Sequence, residues 1–185
     1  MFACVFEGLL LVIAGAAGWF AGVDPLATVT RDVVPVIVGL VAVVPMLAML
    51  WWGLKHPFGA VGKATLQARE FVIQFLGGVS LTGFALISLL AGVGEEALFR
   101  GFLQTFIGLH STELTGLILA SLLFGLAHAV SRTYALIAAI IGVYLGLLYI
   151  GTGSIIAPIV CHAVYDFVAL VILSRSTSTP GQGQR

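Results

Sequence analysis

The stretch Gly94-Glu95-Glu96-Ala97-Leu98-Phe99-Arg100-Gly101-Phe102-Leu103-Gln104-Thr105-Phe106-Ile107-Gly108-Leu109 is an apolar run of 16 residues carrying two adjacent acids and an arginine. Its hydropathy reads as a membrane helix, yet each ionisable side chain at the centre of such a helix costs ~2.5–3.5 kcal/mol on insertion. A helix that retains three of them has a chemical reason to do so. Glu96 and Arg100 stand at i, i+4 with the acid N-terminal, the better orientation for an ion pair. Glu95 lies ~100° further round the helix and has no intrahelical partner of opposite charge. It is therefore the candidate reactive carboxylate, and Glu96–Arg100 the brace.

The rest of the chain is of the same apolar kind. Of 185 residues, 60% are hydrophobic and 9% charged, which excludes an ordinary water-soluble domain. Eight basic and eight acidic residues cancel, so no basic face exists to hold nucleic acid. Further apolar runs occupy 5–23, 33–54, 71–92, 114–130, 133–150 and 154–174. At ~20 residues per crossing, the expectation is an all-α, polytopic transmembrane bundle of six to seven membrane helices. It would be a multi-pass integral protein surrounded by lipid, expected in the plasma (inner) membrane. The chain divides into N-terminal helices with a polar loop (1–70), a helical core (71–174) and a disordered tail (175–185).

Several features refine this outline. Pro35 and Pro45 fall inside the second run, where each is expected to remove a backbone hydrogen bond and kink the helix. The polar stretch Lys55–Glu70 reads as a cytoplasmic loop by its lysines and arginine. Glu7 precedes the core of the first run and no basic segment leads it, so that run reads as a retained span. Cys4 and Cys161 lack the spacing of a disulfide framework or a thiolate metal site.

The run 94–109 can be placed in two ways. If this run does not cross the membrane, six spans remain and most basic residues fall on one side. If it forms an antiparallel hairpin with 114–130, residues whose numbers sum to about 223 lie at equal depth, and Glu95 meets His128. The hairpin is the expectation here. Whether its first arm crosses fully or continues 71–92 through a kink stays open.

His128 follows Phe124 on one helical face. His162 and Asp166 share a face at i, i+4 inside another apolar run, so an imidazole and a carboxyl can reach one substrate atom, or Asp166 can hold the imidazole. Cys161 does not face its neighbour His162 on a helix, which argues against a thiol protease. His56 and His110 read as solvent-facing.

Three motifs now stand in order: Glu95-Glu96 with Arg100 (EExxxR), Phe124 with His128 (FxxxH) and His162 with Asp166 (HxxxD). Together they resemble the CPBP family of intramembrane proteases, the CAAX prenyl protease and bacteriocin-processing or abortive-infection group. Over about 90–174, including Thr152-Gly153-Ser154 to Pro158, the chain is similar to that family. The resemblance implies an endopeptidase acting on a membrane-associated, leader or CAAX-type peptide. Glu95 would be the general base with His128 helping to activate water, while His162 and Asp166 would stabilise the oxyanion. Glu96, Arg100 and Phe124 would support them. Asp166 must carry a proton or act through His162, because an ionised carboxylate cannot donate. The implied mechanism uses no cofactor. The alternative is zinc held by Glu95, His128 and His162, although no HExxH occurs. Two other functions fit a charged membrane cluster: a catalytically silent immunity or scaffold partner, and a proton or ion carrier.

Overall fold

A chain in lipid must satisfy its backbone hydrogen bonds internally, and this one does so with helices. The computed structural model describes residues 2–175. Among them lie seven helices: α1 (Phe2–Ala21), α2 (Val34–Lys55), α3 (Gly59–Leu76), α4 (Leu81–His110), α5 (Glu113–Ala127), α6 (Arg132–Thr152) and α7 (Ile156–Arg175). Five of these, α1, α2, α4, α6 and α7, are long and apolar enough to cross a membrane, and α5 is a shorter apolar helix. The expected polytopic bundle is therefore the architecture found. Of the tail expected over 175–185, Arg175 closes α7 and the remainder lies outside the described residues.

The structure corrects three local expectations. The polar stretch Lys55–Glu70 is helical from Gly59 onward. Its helix, α3, ends at Leu76, so the run 71–92 is broken by the turn at 77–80, where Gly78 adopts φ 90°. The next helix begins after Ser80, whose hydroxyl accepts from the Gly83 amide at 3.1 Å. Pro35 sits in the first turn of α2, where its missing N–H is not needed, so only Pro45 lies within the helix.

The turn also resolves the conflict over 94–109. Because α3 stops at Leu76, Leu81–Glu96 and 97–110 form one continuous helix of 30 residues, α4. The charge argument and the hairpin argument then agree. Lys55, Lys63, Arg69, Arg132 and Arg175 fall toward one end of the alternating helices and Arg31 toward the other. Meanwhile α5 runs back along the second half of α4. With 15 residues it is about 22 Å long, and it stops beside the midpoint of α4.

That midpoint is not α-helical. Ala97–Gln104 is a π-helical segment of eight residues that buries Ala97, Phe99, Arg100, Gly101 and Gln104. The wider turn shifts carbonyls out of register. The Arg100 carbonyl accepts instead from the Thr105 hydroxyl at 3.0 Å, and that hydroxyl also pairs with Tyr149 at 3.1 Å.

Lipid offers no hydrophobic drive between helices, so close backbone approach holds the bundle together. An added Cβ at Gly94 would collide with the Glu7 carbonyl of α1, and one at Gly101 with the Pro25 carbonyl of the α1–α2 loop. Against α7, α2 packs Ala42, Val43 and Met46 onto Cys161, with Leu145 of α6 closing the cluster.

Candidate active site

The cluster at the middle of α4 is assembled from four helices. From α4 come Glu95 and Glu96 at the end of the α-helical part, and Arg100 inside the π-helical part. From α5 comes His128, which caps that helix with φ −99° and ψ 17°. From α7 come His162 and Asp166, one turn apart. The fourth helix is α1, through Glu7.

Glu96 is the hub. Its Oε1 accepts from Arg100 Nη1 at 2.9 Å and from His162 Nδ1 at 2.8 Å. Arg100 Nη2 donates to the Gly142 carbonyl of α6 at 3.0 Å, and its guanidinium lies 4.5 Å from the centroid of the Phe124 ring. Glu96 and Arg100 are 0% and 1% exposed. One buried ion pair thus ties α4, α5, α6 and α7 together. The brace expected from i, i+4 spacing is present, with a second task that sequence spacing did not reveal: Glu96 also orients His162.

Phe124 organises the aromatic side. It stacks on His128 at 4.4 Å between centroids and meets Phe99 edge-on at 5.1 Å and His162 at 5.9 Å. His128 is thereby held at a fixed angle. Its Nδ1 lies 2.9 Å from the Phe124 carbonyl. A carbonyl only accepts, so Nδ1 carries the proton and Nε2 presents its lone pair. Facing that lone pair at 3.4 Å is Glu95 Oε2, a buried atom with no hydrogen-bond partner among the described residues. Two acceptors are aimed at one point, and a water there can donate one proton to each.

On the other side of the cluster, His162 Nδ1 is held by Glu96, which as an ionised partner of Arg100 can only accept. Its Nε2 faces Asp166 Oδ2 at 3.5 Å. A proton carried on this pair supplies the donor that an oxyanion needs. The structure therefore brings Glu95 to His128 and Glu96 to Arg100 and His162, and sets His162 beside Asp166. His56 and His110 are exposed and bonded to carbonyls of their own helices. Cys161 is buried against Met46, 3.5 Å between sulfurs. Among the described residues no group of three or more His, Cys, Asp or Glu side chains is arranged to hold a metal ion. The trio Glu95, His128 and His162 does not form such a set, and no step below runs through a metal.

One site residue was not singled out from the sequence as a chemical group. In the sequence Glu7 argues only against a cleaved leader. Its carbonyl lies against Gly94, one residue before Glu95, and its Oε2 is buried. The available signal was an acid inside an apolar run, the same signal that drew attention to α4.

The family model of the type II CAAX prenyl endopeptidase Rce1-like proteins matches residues 77–168, from the turn before α4 to just past Asp166. Over these residues the chain is similar to the Rce1-like family. Protease activity is thus implied at the level of the family, and the chain is an integral membrane protein. It is also similar to the uncharacterized protein YpbD of Bacillus subtilis (strain 168), 28% identical over 178 residues, covering 86% of this chain and 82% of the relative. No solved structure matches. The Rce1-like match takes in α4, α5 and α6 and most of α7, and leaves α1, α2 and α3 outside.

Proposed function

We propose that this protein is an intramembrane endopeptidase that hydrolyses a peptide bond of a membrane-associated substrate of leader or CAAX type. The observation that carries this reading is the pair of acceptors, Glu95 Oε2 and His128 Nε2, 3.4 Å apart at the middle of a membrane helix. A water between them gives one proton to Glu95 as its oxygen attacks the carbonyl carbon. The carbonyl oxygen takes up negative charge and is met by the proton shared between His162 Nε2 and Asp166. Glu95 then returns its proton to the leaving nitrogen, the C–N bond breaks, and a carboxylate and an amine are released. Preorganised donors and acceptors in a dry site need no reorganisation at the moment of reaction.

Glu96 and Arg100 contribute by position. With His162 Nδ1 fixed on Glu96, the imidazole keeps its Nε2 edge toward Asp166 and the substrate. Similarity to the Rce1-like endopeptidases supports a protease, and the facing pair Glu95 and His128 supports the glutamate-type reading of it. The test is a comparison of membrane peptides in cells carrying wild type or Glu95→Gln. Uncut precursors that accumulate only with Glu95→Gln are expected. Indistinguishable peptide inventories, together with retained cellular function in a Glu95→Gln/His128→Ala variant, would favour a silent membrane partner.

A further inference from the structure

Helix α3 lies outside the Rce1-like match and is not one of the five helices long and apolar enough to cross a membrane. Its neighbours fix where it runs. Along α2, Gly39 lies against the Ala157 carbonyl, Met46 meets Cys161 and Leu50 packs with Ala169 and Leu173, so α2 and α7 are parallel and end on one side. On α4, Gly92 lies against Ile159 and Ala163, while Phe84 lines one cavity with Val171 and Ser174, so α4 starts on that same side. A helix joining the end of α2 to the start of α4 therefore begins and ends on one side and does not cross.

Instead, α3 bridges the two halves of the site. Val72 and Ala68 join Ala169 and Tyr165 of α7 in one apolar cluster, and Tyr165 is the residue before Asp166. One turn away, Gln67 Oε1 accepts a hydrogen bond of 2.8 Å from the Ser131 hydroxyl. Ser131 ends the short turn between α5 and α6 that begins at His128, and its oxygen also caps α6 by accepting from the Tyr134 amide at 3.1 Å. Inside that turn the Val130 amide donates to the His128 carbonyl at 2.8 Å, so His128 and Ser131 belong to one tight piece of backbone. Because α5 stops beside the midpoint of α4, its end has no membrane surface to rest on. Packing of Gly125 on the Ala135 carbonyl holds it to α6, and the Gln67 bond ties the same turn to a third element.

We propose that Gln67 and Ser131 are positioning residues for His128, their hydrogen bond holding the turn that sets His128 Nε2 3.4 Å from Glu95 Oε2. Both act through His128. The inference rests on the hydrolase reading for its effect on rate but not for its effect on the imidazole, and it gives α3 a task in the catalytic unit. Misplacing a reacting group by about 1 Å costs on the order of 10²-fold in rate. A loosened turn therefore lowers kcat and leaves KM nearly as it was.

The test uses the full chain in lipid nanodiscs and the peptide that wild type cleaves fastest from a fluorogenic library of apolar peptides. Gln67→Met keeps the length of the side chain and removes the acceptor; it should lower kcat about tenfold or more with KM within about twofold of wild type. Gln67→Glu keeps an accepting oxygen, and Ser131→Asp keeps the α6 cap while accepting from the Gln67 amide nitrogen, so each should restore most of the rate. Combined, Gln67→Glu/Ser131→Asp sets two acceptors against each other and should lose it again. A second readout does not depend on cleavage. With histidine labelled in heavy nitrogen, the ring signals of His128, assigned by their loss in His128→Gln, should form one set with the proton on Nδ1 in wild type, and should broaden or split in Gln67→Met. A Gln67→Met kcat within about twofold of wild type, an equal loss in all the variants, or His128 signals identical to those of wild type overturns the proposal. If wild type cleaves no peptide, the hydrolase reading falls and the ring signals alone decide whether Gln67 holds His128.

Discussion

Replacing Arg100 by methionine tests whether the brace is what holds the site. The substitution removes the 2.9 Å bond to Glu96, the 3.0 Å bond to the Gly142 carbonyl and the contact 4.5 Å above Phe124. It leaves Glu96, which is 0% exposed, with its charge uncompensated except by His162. Breaking a buried pair in this way costs about 3–5 kcal/mol, mostly through the stranded charge. A second substitution separates the two contributions. Glu96→Gln removes the charge but keeps an oxygen that can accept from His162 Nδ1, so Glu96→Gln/Arg100→Met should be more stable than Arg100→Met alone by about 1 kcal/mol or more. The assay is reversible unfolding in mixed micelles with increasing dodecyl sulfate, followed by circular dichroism. If Arg100→Met loses less than about 1 kcal/mol, or if Glu96→Gln makes it worse, the stranded-charge argument fails.

Other consequences follow from particular contacts. Glu95→Gln should abolish turnover while shifting the unfolding midpoint little, since Glu95 Oε2 makes no hydrogen bond among the described residues; activity assays and unfolding curves on one preparation check both. Thr105→Val removes the hydroxyl that serves the Arg100 carbonyl and Tyr149, and should cost about 1 kcal/mol, measurable by the same unfolding method. At Gly125 an added Cβ would meet the Ala135 carbonyl at 2.5 Å. Gly125→Ala should therefore push α5 from α6, displace His128 and cost about 1–3 kcal/mol, with a loss of activity larger than the loss of folded protein.

Much of this architecture could be read in the sequence, for physical reasons that particular residues make plain. The antiparallel pairing of 94–109 with 114–130 placed Glu95 opposite His128 because equal rise per residue on two antiparallel helices makes depth additive. Ion-pair spacing located Glu96 and Arg100 because i, i+4 geometry survives the widened turn. The break at 77–80 was hidden by the apolar residues on either side, although Gly77 and Gly78 lie within it. The helix over 59–76 was hidden for the opposite reason: its polar residues resemble a loop when hydropathy is the guide. Contacts between helices distant in sequence, such as Glu96 with His162 and Glu7 with Gly94, carry no local pattern. They depend on which faces meet, and that is settled by small residues such as Gly94 whose partners lie elsewhere in the chain.

The central claim is that Glu95 and His128 direct a water at a peptide carbonyl. It is tested most directly by incubating the wild-type protein in nanodiscs with a membrane-peptide library in water enriched in heavy oxygen, and analysing new C-termini by mass spectrometry. The account predicts cleaved peptides whose new carboxylate carries one heavy oxygen atom in the wild type, and no such products with Glu95→Gln. Equal product formation by Glu95→Gln, or new C-termini without solvent oxygen, would contradict it.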